Sequence, residues 1–349
     1  MGYQNVKTPR FYIDHLQYIR AIGKGVPASG EDIFRLNPSS FSANKPANAG
    51  VNYWDFGALG FTAEEASGIP NVNYGKLNYL AILGHNLADC MEGSLDVGFR
   101  DNVDYSSNAD FKFSSLNPVE VANYESDSTI HLDGFSIATF DDTDFNGLNL
   151  WFEIDNTSTE NKISSLSLGR YYNMPHSPDL SLSMSHEYGG ISKTKSVSGS
   201  TYTNANWSKP PKWGDLEAWE LPRPYHGTFN PDNEDWFYGG YRYSGRRSWD
   251  LSFSYISDTD IEPRNYIGLT TGGEINDDNW FQNVLYYTMG GHLPFIFCPD
   301  PSIVYLAGYG YSSPFQVPPR VPEFAICRFD MNSFKREQVA NGVYNIKIK

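Results

Sequence analysis

The feature that most constrains this chain is a series of short segments in which apolar and polar residues alternate with a period of two. Successive side chains of a strand point to opposite faces, so each such segment offers an apolar face that another layer must cover. NLWFEID at 149–155 shows it best: Leu150, Phe152 and Ile154 fall on one side, Trp151 and Glu153 on the other. SLDVGF at 94–99 alternates likewise, and WDLSFSYI at 249–256 sets Leu251, Phe253 and Tyr255 against Ser252 and Ser254. LNYLAIL at 77–83 is a short apolar run closed by Gly84, and KISSLSLG at 162–169 keeps Leu166 and Leu168 in step with Ile163 out of phase. Further strands are expected in HLPFIFCPD at 292–300 and in EFAICRF at 323–329, and VYNIKIK closes the chain. Strands joined by polar turns, with little helical periodicity between them, predict antiparallel sheets packed as a sandwich.

Two segments carry helical spacing. In FYIDHLQYIRAI at 11–22, Tyr12, Leu16 and Ile19 fall on one side of a helix, with Pro9 and Gly23 as boundaries. In NWFQNVLYYTMGG at 279–291, Phe281, Val284, Leu285 and Met289 do the same and Gly290 and Gly291 form the stop. From about 25 to 75 the chain is rich in Gly, Pro, Ser and Asn and reads as an extended arm with short ordered pieces, such as the acidic turn at Glu64 and Glu65. Residues 192–234 are rich in Ser, Thr, Pro, Asn and Trp, which suits a long exposed loop or an interface insertion. The expected layout is mainly β: a helix and extended arm over 1–76, a β-sandwich domain over 77–175, and a second β-rich domain with one helix over 176–349, carrying a Trp/Pro-rich insertion at 192–245. No fixed-period repeat is present, which argues against a solenoid or propeller.

Composition supports burial on this scale. The 349 residues favour two domains, and 40% hydrophobic against 19% charged residues, with 15% aromatic, give ample surface for a core. Lys and Arg number 26 against 41 Asp and Glu, and the net charge of −15 repels a phosphate backbone unless basic residues cluster. The densest basic group, Arg242, Arg246 and Arg247, is too short for a nucleic-acid patch, so direct binding of DNA or RNA is disfavoured. Cys90, Cys298 and Cys327 lie far apart without metal spacing and read as buried free thiols. The start lacks a long apolar core, Val6 stands where a myristoylation signal needs Ser or Thr, and no run reaches roughly 18 apolar residues. No membrane association is expected, and assembly from a soluble precursor in a cytoplasm is.

One chemical motif is formally complete. Asp142, Asp144, Asn146, Gly147 and Glu153 match a calcium loop, but such a loop needs a helix on each side and here both flanks alternate as strands. A turn built from Asp and Asn explains the same residues. Asp232, Glu234 and Asp235 near Trp236 and Tyr238 could supply paired carboxylates for glycoside hydrolysis, against the commoner reading of a solvated acidic loop. His186 and Glu187 lack the second His of a metalloprotease, Gly190 standing in its place. His85, in GHNL, reads as a turn residue. Nucleophile-elbow, phosphate-loop and dinucleotide patterns are missing, so neither catalysis nor a cofactor is expected. Trp207, Trp213, Trp219 and Trp236 lie in irregular sequence, where they could stack on sugar rings, fill pockets on a protein partner, or anchor loops to the core.

Two separated stretches resemble phage tail proteins. YLAILGHNLADC at 79–90, with LNLWFEIDN at 148–156 and ISSLSLGRYYNMP at 163–175, resembles the discoidin-type jelly-roll module of minor tail proteins, in which a Gly-His-Asn-Leu turn ends one strand and a Leu-x-Leu-Gly-Arg segment follows another. RRSWDLSFSYISDTDI at 246–261, with FQNVLYYTMGGHLPFIFCPDP at 281–301, is similar to the distal-tail and tail-hub domain. The resemblance spans most of 77–349; the first 75 residues and the insertion at 192–245 depart from it. It implies a structural role in the virion, at the tail or tail tip, in a homo-oligomeric ring or trimer with other tail proteins, sometimes with sandwich modules that touch host surface glycans. The rival readings are a carbohydrate-binding receptor-recognition protein of the virion and a polysaccharide-degrading enzyme.

Overall fold

The computed structural model describes residues 6–22, 36, 42–44, 50–58, 76–83, 91–98, 111–114, 135–144, 149–156, 161–187, 191–205, 212–213, 216–217, 246–262, 278–301 and 324–349, and every structural statement below concerns these. The first half of the chain forms β1 Arg10–Asp14, α1 His15–Ala21, β2 Ser42–Asn44, β3 Gly50–Ala58, β4 Lys76–Leu83, β5 Met91–Gly98, β6 Phe111–Ser114, β7 Phe135–Asp144, β8 Asn149–Asn156, β9 Asn161–Ile163 and β10 Ser165–Asn173. The second half adds β11 Ser183–Glu187, β12 Ile191–Lys195, β13 Thr201–Ala205, β14 Lys212–Trp213, β15 Leu216–Glu217, β16 Arg246–Ser257 and the short α2 Asp258–Ile261. A π-helix over Phe281–Tyr286 follows, then β17 Phe295–Cys298, β18 Ala325–Cys327, β19 Arg336–Ala340 and β20 Val343–Ile348. The protein is mainly β, built of several antiparallel sheets.

The central sheet has six strands in the order β18-β17-β1-β10-β4-β7, all antiparallel. It takes strands from all three of the segments distinguished in the sequence. Its inner strands are buried on both faces, which is why β4 and β17 read as continuous apolar runs and not as alternations. On one face Phe11, Ile13, Tyr172, Phe295 and Phe297 meet Trp249, Leu251, Phe253, Ile346 and Ile348 of a second sheet, ordered β11-β16-β20-β19. Aromatic edges knit this core: Phe11 lies 5.1 Å from Trp280, and Trp249 lies 5.2 Å from Phe297. Burying each large side chain contributes about 1.5 to 3 kcal/mol, so this cluster outweighs any surface contact. On the other face Tyr12, Tyr79, Ala81, Leu83, Ile137, Ile296 and Cys298 pack with Leu36. A third sheet, β3-β8-β5-β6, and three two-stranded sheets complete the described elements.

Five sequence expectations change; one is the loop expected over 192–234, within which β12 pairs with β13 and β14 with β15. The helix expected over 11–22 begins only at His15, because Phe11, Tyr12 and Ile13 are bulky strand formers wedged between β10 and β17. Within the arm expected over 25–75, β3 Gly50–Ala58 pairs with β8 in the third sheet. In β16 the alternation fails after Phe253: a register shift turns Tyr255 outward and Ile256 inward. The second helix is a π-helix that ends at Tyr286, followed by turns. Cys298 is buried and Cys327 partly buried, and neither forms a disulfide.

Candidate functional site

Asp14 ends β1 and caps α1. The N–H groups of Leu16 and Gln17 donate to its Oδ1 at 2.9 and 3.3 Å, satisfying donors that the first helical turn leaves open. Across the ladder stands Gly169, where a Cβ would lie 2.0 Å from the Ile13 carbonyl oxygen, so no side chain larger than hydrogen fits. Small residues at Ser165, Ser167 and Gly169 leave a polar seam in an otherwise apolar sheet, and the Tyr79 and Ser167 hydroxyls sit 2.9 Å apart within it. Burial pushes the Asp14 carboxyl up to about 7, the N–H groups of Gln17 and Leu16 acting against it. Burial, with Asp14 adding in the same sense, raises the Tyr79 phenol well above its ordinary value and keeps it protonated.

His15 follows directly and stacks on Tyr287 at 4.0 Å. Neither ring nitrogen has a hydrogen-bond partner among the described residues. Burial, reinforced by the Arg170 guanidinium, holds the imidazole down to about 3, so it is neutral at ordinary pH. Because it bonds to no hydroxyl, it makes no nucleophile and base pair with Ser165 or Ser167. Arg170 Nη1 instead donates to Asn283 Oδ1 at 3.5 Å, and Asn283 Nδ2 donates to Asp278 Oδ1 at 3.0 Å, tying β10 to the π-helix. The arrangement fixes α1 and the π-helix against the central sheet.

Those two helices carry an exposed aromatic face. Tyr18 packs on Tyr286 and Tyr287 at 5.3 and 5.1 Å, yet Tyr286 stays half exposed; Phe281 and Met289 are exposed near it in the chain, and Ile22 is exposed at the end of α1. Met289 holds a left-handed backbone, φ 53°. Tyr255, at the bulge of β16, holds φ 64° and is 77% exposed, its N–H donating to Asn345 Oδ1 at 3.1 Å in place of a ladder bond. A left-handed conformation costs a side-chain-bearing residue about 1 to 2 kcal/mol. Backbone strain held by the surrounding packing points to a functional position, and exposed apolar side chains that form a continuous patch mark a surface for a partner.

The sequence candidates fare differently. Trp207, Trp219 and Trp236 lie outside the described residues, as do Asp232, Glu234, Asp235 and His85; Trp213 ends β14, opposite Leu216 of β15. Asp142 and Asp144 lie in β7 and Glu153 in β8, so strands flank the calcium motif; β7 pairs with β4 and β8 with β3 and β5. His186 and Glu187 lie in β11, opposite Arg247 and Arg246. No group of three or more His, Cys, Asp or Glu able to hold a metal occurs among the described residues, and no described helix is long and apolar enough to cross a membrane. Asp14 carried a readable signal, an acidic cap ahead of His-Leu-Gln-Tyr, whereas nothing local marked Tyr255 or Met289 as exposed. Compared with protein-family models, with curated proteins and with solved structures, the chain matches none.

Proposed function

We propose that this chain is a structural component of a bacteriophage virion, placed at the tail or tail tip, that acts by assembling with copies of itself and with other tail proteins and not by catalysis. One observation carries the reading: Tyr255 of β16 and Tyr286 of the π-helix are exposed on elements packed against the core, and Leu180 and Met289 are exposed in the turns that follow β10 and the π-helix. Surfaces of this kind are covered in large assemblies, whose interfaces resemble domain cores cut in half. The virion placement rests on the two stretches that resemble minor tail and tail-hub proteins, including ISSLSLGRYYNMP, which supplies β10. The test is quantitative mass spectrometry of purified intact particles. The reading expects the chain in a fixed copy number per particle; its absence from particles whose host cell contains it would remove the reading.

A further inference from the structure

The hairpin of β12 and β13 stands apart from every sheet described above. Its strands pair from Ile191 with Ala205 to Lys195 with Thr201, and the pair bonds to no other described strand. From Ser192 to Asn204 all residues are exposed except Ser196, which is partly covered, so water reaches both faces. A lone hairpin in water is marginal, because neither face gains anything by burial. Yet this one is carefully made. The Ser196 N–H donates to the Ser200 carbonyl at 2.8 Å, the Ser200 N–H donates to Ser196 Oγ at 3.0 Å, and Gly199 takes the positive φ of 85° that a three-residue hairpin loop needs. Thr, Ile and Tyr supply the strand propensity. The tip presents Val197, 110% exposed, and one face presents Tyr202, 66% exposed.

Its charge also differs from the chain around it. Residues 191–205 contain Lys193 and Lys195 and no acid, within a chain whose net charge is −15. The register puts both lysines on one face, with Thr201 and Thr203, and Tyr202 on the other, with Ser192 and Thr194. We propose that this hairpin is an arm that docks on the acidic surface of a second copy of the chain. The proposal deepens the assembly reading and rests on it. A second copy fits better than a polyanion: two lysines release too few counterions to hold a nucleic acid against the charge of the whole chain. Arm-to-arm contact would oppose like charges, so the contact runs from arm to body. Val197, at the tip and so next to the lysine face, gives the apolar anchor that a charge-steered contact needs for lasting affinity.

The experiment uses the full chain. Light scattering across concentration, in about 0.05 and 0.5 M NaCl, compares the wild type with K193E/K195E and with K335E/K347E, which makes the same charge change at exposed positions off the arm. The expected result is a wild-type oligomer loosened by salt, self-association weakened on the order of tenfold or more in K193E/K195E, and little change in K335E/K347E. In parallel, carbodiimide coupling of a mixture of isotope-labelled and unlabelled wild-type chains should join Lys193 or Lys195 to an Asp or Glu of the other copy, a readout that needs no variant to fold. A monomeric wild type, equal weakening in both variants, or inter-copy crosslinks lacking both lysines overturns the arm. So does arm-dependent retention on a heparin column without self-association. Arm-dependent oligomers of a protein absent from purified particles would leave the arm standing and remove the virion reading. A particle protein that is monomeric in solution would do the reverse.

Discussion

At the scale of residues, the Asp14 and His15 pair sets how stability responds to pH. Asp14 binds its proton more tightly folded than unfolded, its carboxyl rising from 3.8 to about 7, so the folded state holds the extra proton between about pH 4 and 7 and stability falls as pH rises through that window. His15 is the opposite case, lowered from 6.5 to about 3: the unfolded state holds the extra proton, and stability is lost as pH falls from about 6.5 toward 3. Each contribution is about 4 to 5 kcal/mol over its full window, and the two opposite slopes largely cancel between about pH 4 and 6.5. Asp14→Asn, which keeps the capping oxygen, should therefore gain stability relative to wild type as pH rises from 4 to 7. His15→Phe, which keeps the stack on Tyr287 and removes two orphaned nitrogens, should equal or exceed wild type by about 1 kcal/mol at pH 7. Urea midpoints at several pH values check both, and a pH-independent difference for Asp14→Asn would contradict the assignment. Gly169→Ala should cost about 3 kcal/mol or more, since its methyl collides with the Ile13 carbonyl.

At the scale of elements, the bulge of β16 yields a separate prediction. Tyr255→Gly should raise the melting temperature above that of Tyr255→Ala, because glycine accepts φ 64° and the exposed ring contributes little burial. The same strand shows where sequence reading succeeds and stops. Leu251 and Phe253 were legible as one buried face, since period two is a local property. Tyr255 was not, because the bulge is set by pairing with β20 at the far end of the chain. β8 was legible for the same local reason, and β4 and β17 as short apolar runs. β1 was misread because Tyr12, Leu16 and Ile19 satisfy helical spacing while Phe11, Tyr12 and Ile13 satisfy strand propensity, and only the distant partners Asn173 and Cys298 decide. The polar seam depends on β10 meeting β1 and β4, so its members could be seen singly in the sequence and never as a group.

At the scale of the whole molecule, the central sheet draws on Arg10 at one end of the chain and Cys327 near the other, so its halves stabilise one another. That sheet is the frame; what it displays is the exposed face of Tyr286 and Met289, Tyr255 at the bulge, and the hairpin with Val197 at its tip. The central claim is that these residues are wetted only until other subunits cover them. The most direct measurement is hydroxyl-radical footprinting of Leu180, Tyr255, Tyr286 and Met289 in the purified chain and in intact particles. The account predicts strong labelling in the free chain and a marked loss of labelling for most of these residues in the particle. Equal labelling in both states would contradict it.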